Sequence, residues 1–248
     1  MIIIKDVHAQ EKMAIAGRII AELFETLREF IEPGMTTLIV DSFIDEYTQR
    51  NKLRSCTKGY LGYKHASCIS LNDEVVHGVP SDVTLKEGDL IKIDVCASYQ
   101  DYCADMARPF FLGTPSKEVA KLIEVAQDAL DEGIQCARPG ERLGTLSATI
   151  QQVVEQQGFG VVREFAGHGI GKKMHEAPEI LNYGKKGCGP LIKAGMAFAI
   201  EPMITMGDYH VYVQKDGWTV KTVDKSLAAH VEDTVIVTDN GPAIITRI

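Results

Sequence analysis

Apolar residues recur at helical spacing over about 9–31 (Met13, Ala16, Ile20, Leu23, Leu27, Phe30) and again over about 116–136 (Val119, Leu122, Ile123, Ala126, Leu130, Ile134). This spacing predicts two amphipathic helices. Each runs into a Pro-Gly pair, Pro33-Gly34 and Pro139-Gly140, and each pair is followed by a second amphipathic stretch. Between the helical regions the period changes. Residues 93–105, IDVCASYQDYCAD, are apolar and β-branched on both arms of a polar centre, which predicts a hairpin. A tip at Tyr99-Gln100 pairs Asp94 directly with Asp105, and Cys96 with Cys103. FAIEPM (198–203) and HVEDTVIVTDNG (230–241) predict further strands, the second ending in an Asp-Asn-Gly turn.

The two helical regions belong to a longer internal echo. EPGMTTLIVDSFIDEYTQRN (32–51) resembles RPGERLGTLSATIQQVVEQQ (138–157), and Leu85-Lys86-Glu87-Gly88 resembles Ile192-Lys193-Ala194-Gly195. Lys86, Gly88, Ile93 and Asp94 each map 107 residues on, to Lys193, Gly195, Ile200 and Glu201. Each half therefore sends a carboxylate into an apolar strand at the same point. The expected fold class is α+β, with paired outer helices and inner antiparallel strands. It forms one domain, 1–248, of pseudo-symmetric halves at about 1–112 and 113–248.

Bulk properties narrow the function. The chain has 248 residues, 45% hydrophobic and 24% charged, with net charge −8. That is ordinary for a globular domain, and the acidic balance excludes a nucleic-acid footprint. The start, MIIIKDVHAQ, has no signal-peptide pattern, and no run of 18 apolar residues occurs. A cytoplasmic location is expected, with no membrane contact. None of the six cysteines forms a CxxC pair, so a zinc finger or thioredoxin-like motif is disfavoured. Cys96 and Cys103 read as small buried hydrophobes. GHGIGKK (167–173) lacks the spacing of a phosphate-binding loop.

Buried carboxylates require a counter-charge. Lys92 shares a face with Asp94 by strand alternation, so a salt bridge is one solution. Two segments favour another. In AGHGIGKKMHEAP (166–178) His168 lies between two glycines, and Glu232 starts the strand at 232. Asp94, Asp105, His168, Glu201 and Glu232 together suit two divalent ions about 3.5–4 Å apart with bridging carboxylates. Mainly oxygen donors with one nitrogen admit Mn, Fe, Co, Mg or Zn.

These segments, with SLNDEVVHGVP (70–80), the eleven-residue step from Asp94 to Asp105, FAIEPM, WTVKTVDKSLAAHVEDT (218–234) and VTDNG (237–241), make the chain resemble the short, bacterial type I methionine aminopeptidases over essentially its whole length. The resemblance implies the pita-bread fold and hydrolytic removal of N-terminal methionine from peptides and nascent chains. It implies that Asp94 chelates one ion, that Asp105 and Glu232 bridge both, and that His168 and Glu201 hold the other. Glu201 becomes the proton acceptor and donor. His77 falls beside the scissile amide and His175 on the polarising histidine. A lone histidine is otherwise more often structural, and His8, His65, His210 and His230 are read as surface or structural.

The resemblance further places the methionine pocket on Tyr60, Tyr63, Cys68, Met174 and Trp218, with His77 at its edge. It puts a monovalent cation (Na or K) on the backbone carbonyls of Asn72, Glu74 and Ala228. A monomer is expected, with the ribosome as the one larger partner considered. The chain departs from the family pattern at Met174, usually aromatic; at Asp233, usually His, adding negative charge near an acidic site; at Ala199 and Met106, each usually Thr; and at Pro109, which removes a ladder donor beside Arg108. Rival readings are a proline-specific peptidase or creatinase-like hydrolase of the same fold, a partner-binding relative without catalysis, and a structural metal protein. The first usually carries an extra N-terminal domain, for which a first helix beginning near residue 9 leaves no room.

Overall fold

A computed structural model describes all 248 residues. Four helices carry the outer layer: α1 (Val7–Phe30), α2 (Thr37–Arg50), α3 (Lys117–Gln135) and α4 (Leu143–Gln156). The periodic stretches sit where the sequence predicts them. Helix α1 begins two residues early because the Asp6 carboxylate accepts the Ala9 N–H at 2.8 Å, satisfying an otherwise orphaned donor. Ser116 caps α3 in the same way, accepting from Val119 N–H at 3.3 Å.

Helices α1 and α2 pack on one face of a nine-stranded sheet around Phe24, Leu27, Ile91 and Ile93, and α3 and α4 around Leu122, Leu130, Phe198 and Val235. The strands of this sheet are β1 (Arg54–Ser55), β2 (Cys68–Leu71), β3 (Leu90–Tyr99), β4 (Tyr102–Phe111), β5 (Gly167–Gly169), β6 (Glu176–Ile180), β7 (Ala197–Ile200), β8 (Glu232–Thr238) and β9 (Gly241–Ile244). Their order is β1-β3-β4-β8-β7-β5-β6, with β2 also on β3 and β9 also on β8, and every pairing is antiparallel.

The sequence echo is a structural one. Gly34 and Gly140 both take a positive φ, 95° and 93°, as the residue after proline in such a turn requires. Gly34 N–H donates to Leu85 O, and Gly140 N–H to Ile192 O. Isolated bridges join Thr36 to Thr84 and Arg142 to Leu191. The pseudo-two-fold relation passes between β4 and β8, where the halves meet.

The hairpin register differs from the expected one. Gln100 and Asp101 form the tip, both at positive φ, so Asp94 pairs with Ala107, Cys96 with Asp105 and Ser98 with Cys103. A two-residue turn of this kind needs left-handed φ at both positions, and Asp tolerates it better than a bulky Tyr. The slip moves each partner by two residues. Because side chains alternate with period two, Asp94 and Asp105 keep a common face as diagonal neighbours.

Candidate metal centre and substrate pocket

Asp94 lies near the middle of β3 and Asp105 in β4. His168 is the centre of β5, Glu201 follows β7, and Glu232 opens β8. All five line one pocket of about 220 Å³ at the sheet centre. Gly167 and Gly169 bring the His168 backbone close to its neighbours: a Cβ on either would lie 2.4 Å from Ala199 O or 2.2 Å from Ala177 O. Asp105 is fixed across the half-boundary, its N–H donating to Thr234 Oγ1 and its carbonyl accepting from the same hydroxyl, both at 2.8 Å.

The donor atoms converge without satisfying one another. His168 Nε2 stands 3.5 Å from Glu201 Oε1 and 4.0 Å from Asp105 Oδ2. His168 Nδ1 lies 3.0 Å from Gly169 O, which places the proton there and leaves the Nε2 lone pair free. Asp105 Oδ1 and Glu232 Oε1 are buried with no hydrogen-bond partner. Burial raises Asp94 to about 6, with Glu201 adding to the rise. Burial and neighbouring carboxylates push Asp105 and Glu232 well up, and burial does the same to Glu201. Burial drives His168 down to about 3 and His77 to about 4. Neutral imidazoles beside crowded acids with orphaned oxygens fit divalent cations, whose charge meets both demands.

One residue at this centre was read from sequence as surface or structural. His230 is buried, 1% exposed, at the end of the short strand Ala228–His230. Its Nε2 has no hydrogen-bond partner and lies 3.4 Å from Glu201 Oε2 and 3.9 Å from Glu232 Oε2. Two donor groups result, Asp105-His168-Glu232 and Glu201-His230-Glu232, sharing Glu232. The available signal was spacing: His230 stands two residues before Glu232, which in extended chain puts both side chains on one face. His8 and His210 are exposed, and His65 stands 3.0 Å from Asp41 Oδ2.

Every residue expected for catalysis or the methionine pocket lines the same cavity: Tyr60, Tyr63, Cys68, His77, Met174, His175 and Trp218; Asn72, Glu74 and Ala228, expected to hold a monovalent cation, do not. Tyr63 meets Trp218 edge-on at 4.9 Å and gives its hydroxyl proton to Ser67 O at 2.9 Å. His175 Nδ1 lies 3.1 Å from the Tyr60 hydroxyl, and its ring abuts His168 at 4.4 Å. His77 stands edge-on to Phe165. Phe165 and Met203 complete the apolar wall and were missed, because their sequence context is indistinguishable from core.

Two expectations about charge change. The Lys92 ammonium donates to Asn72 O at 2.9 Å, not to Asp94. Asp233 does not face the acids, since alternation along β8 turns it to the other side of the sheet from Glu232. There its carboxylate accepts from Arg108 Nη2 at 2.5 Å, Thr246 Oγ1 at 2.7 Å and Arg247 Nε at 2.7 Å.

The model of metallopeptidase family M24 matches residues 11–239. The chain belongs to this family. A methionine aminopeptidase from Clostridium perfringens is 43% identical, the match covering both chains fully. The crystal structure of a methionine aminopeptidase from Thermotoga maritima superposes with a TM-score of 0.98 at 42% identity, again over both full lengths. A Pyrococcus furiosus prolidase shares the fold at a TM-score of 0.80 and 25% identity, but this chain covers only 66% of it. The family's pita-bread architecture is therefore the fold described above. Membership implies use of divalent metal, and no helix of the chain is long and apolar enough to cross a membrane.

Proposed function

We propose that this M24 protein removes N-terminal methionine from peptides and nascent chains by metal-assisted hydrolysis, with the whole chain as one catalytic unit. The carrying observation is the convergence of Asp94, Asp105, His168, Glu201 and Glu232, drawn from both halves, beneath a small apolar-walled pocket. Two divalent ions held by these five, with His230 as a further nitrogen donor, would supply Lewis acidity and an acidified water.

The residues divide the remaining work. Glu201 takes the proton of the attacking water and passes it to the departing amine. Tyr60 holds one ring nitrogen of His175, leaving the other for the developing oxyanion. His77 borders the scissile amide. Tyr63, Cys68, Met174 and Trp218 enclose the methionine side chain, Met174 offering a polarisable thioether in place of a ring. The Asp94 side of the acidic cluster receives the free α-amine, which restricts cleavage to chain ends.

The positive charge that the resemblance places on Asn72 belongs here to Lys92. Its ammonium and the Ala228 N–H, at 3.1 Å, already occupy the Asn72 carbonyl, so no sodium or potassium requirement is expected. Six unpaired thiols suit a reducing cytoplasm. We take the working form to be a monomer acting on free or ribosome-presented chain ends.

Methionine release from Met-Ala-Ser, with metal analysis, tests the proposal against His168→Ala and against an X-Pro peptide. Release confined to wild type and to the Met peptide is expected. Equal release by the variant, or preferential X-Pro cleavage, overturns it.

A further inference from the structure

Beside the catalytic pocket lies a second group of metal-ligating side chains that the proposed reaction does not use. Cys56 follows β1, Cys96 is in β3 and Cys103 in β4. The Cys56 N–H donates to Cys96 O at 2.9 Å, which draws the loop carrying Cys56 against the hairpin. Cys56 Sγ lies 3.4 Å from Cys103 Sγ, and all three sulfurs fall within 4.8 Å of one another. Three thiolates around one ion at about 2.3 Å each would stand at comparable separations.

The surroundings distinguish this group from ordinary core cysteines. Cys96 and Cys103 are buried on Met13, Ile170, Ala197 and Ile236, while Cys56 is only half-buried. Cys56 and Cys103 reach a cavity of about 690 Å³ that is also lined by Arg54, Lys58, Lys172 and Lys173. An ion therefore has an entry path, and cationic groups oppose the excess negative charge of three thiolates. Besides sulfur, Cys56 and Cys103 reach only carbonyls, Arg54 O at 3.9 Å and Lys172 O at 3.8 Å. A donor set of sulfur alone selects soft ions over the hard ions suited to carboxylates.

We infer that Cys56, Cys96 and Cys103 form a binding site for one soft, thiophilic metal ion, separate from the carboxylate centre. The two sites are mechanically joined. Cys96 is the direct cross-strand partner of Asp105, and the cavity mouth shares Tyr60, Met174 and His175 with the substrate pocket. Occupation of the thiol site should therefore slow methionine release.

Cadmium is the probe, added to the full chain already loaded with manganese. Carboxylate and imidazole donors give no sulfur-to-cadmium charge-transfer absorption, so the band reports the thiols independently of the proposed reaction. Wild type is expected to develop this band to one equivalent of cadmium and to shield the three thiols from alkylation. Cys56→Ser should lose the band and the shielding yet keep methionine release without cadmium. Cys103→Ser should lose the band as well, and Cys188→Ser, at an exposed thiol outside the group, should keep it. No band in wild type, or an unchanged band in Cys56→Ser, overturns the inference. So does a mass lower by two hydrogens that locates a Cys56–Cys103 disulfide in the freshly purified protein.

Discussion

The two halves of the sheet are built alike and used differently. In the first half β2 lies on β3 with Ser70 opposite Lys92. In the second, β5 lies on β7 with His168 opposite Ala199, and Ala199 is 107 residues beyond Lys92. Asp94 and Glu201 stand at equivalent points. The other two acids do not: Glu232 is paired with Ala107, and Asp105 faces Thr234, with which it exchanges two hydrogen bonds. The shared backbone thus fixes where donors can stand, and the side chains decide which half supplies them. Both nitrogens, from His168 and His230, come from the second half. The first half places Ser70 opposite a buried lysine where the second places His168 opposite Ala199, and that lysine's ammonium is directed to Asn72 O.

Four tests would break or sharpen that contrast. The largest effect belongs to the equivalent acids. Glu201→Gln should lower kcat by about 10²–10⁴-fold, as loss of a proton-transfer group does. Asp94→Asn should mainly weaken metal binding, so that saturating metal restores more of its rate. Equal kcat losses at saturating metal would mean the halves are chemically interchangeable.

Arg108→Leu tests the β4–β8 seam. It leaves the completely buried Asp233 carboxylate with Arg247 and Thr246 alone. A loss of about 1.5–3 kcal/mol is expected from removing one charged hydrogen-bond donor while Arg247 still pairs the carboxylate, read by denaturant unfolding.

His230→Gln should reduce divalent-metal affinity by about 10–100-fold, the range for residues supporting a metal site, measured by calorimetric titration. The conservative first-half change, Ser70→Ala, should leave affinity unchanged. It removes only the Ser70 hydroxyl that accepts the Gly78 N–H at 2.9 Å, at a stability cost of about 1–3 kcal/mol.

The smallest effect is the pH dependence of metal binding. Asp94 is raised from 3.8 to about 6 by burial and by Glu201, so below that pH its proton competes with metal. His168 and His230 are lowered to about 3 and 4 by burial and are already neutral there. Affinity should therefore rise with pH through about 6, with protons released by the carboxylates and not by the imidazoles. Calorimetry in buffers of different ionisation enthalpy counts those protons, and an affinity flat from pH 5 to about 7 would contradict the assignment.

Much of this was legible in the sequence because it follows from local rules. Helical periodicity, the Pro-Gly turns and the 107-residue echo fixed four helices and two equivalent acids. Strand alternation put Asp94 and Asp105 on one face even with the hairpin tip misplaced by one residue. The fold class followed from these, and the family's motifs supplied the remaining expectations. Other features depended on contacts between distant segments. His230 looked like any histidine in an apolar strand until folding brought the strand Ala228–His230 beside Glu201. Asp233 looked like an added charge at the site until β8 turned it toward Arg108 and Arg247. Lys92 shared a face with Asp94 by alternation, and only the folded turn at Asn72 gave its ammonium a different partner, Asn72 O. Period and turn chemistry act over a few residues and can be read from one strand of text. The partner of a buried polar atom is whatever the completed packing brings within about 3 Å, and the chain settles that only by folding.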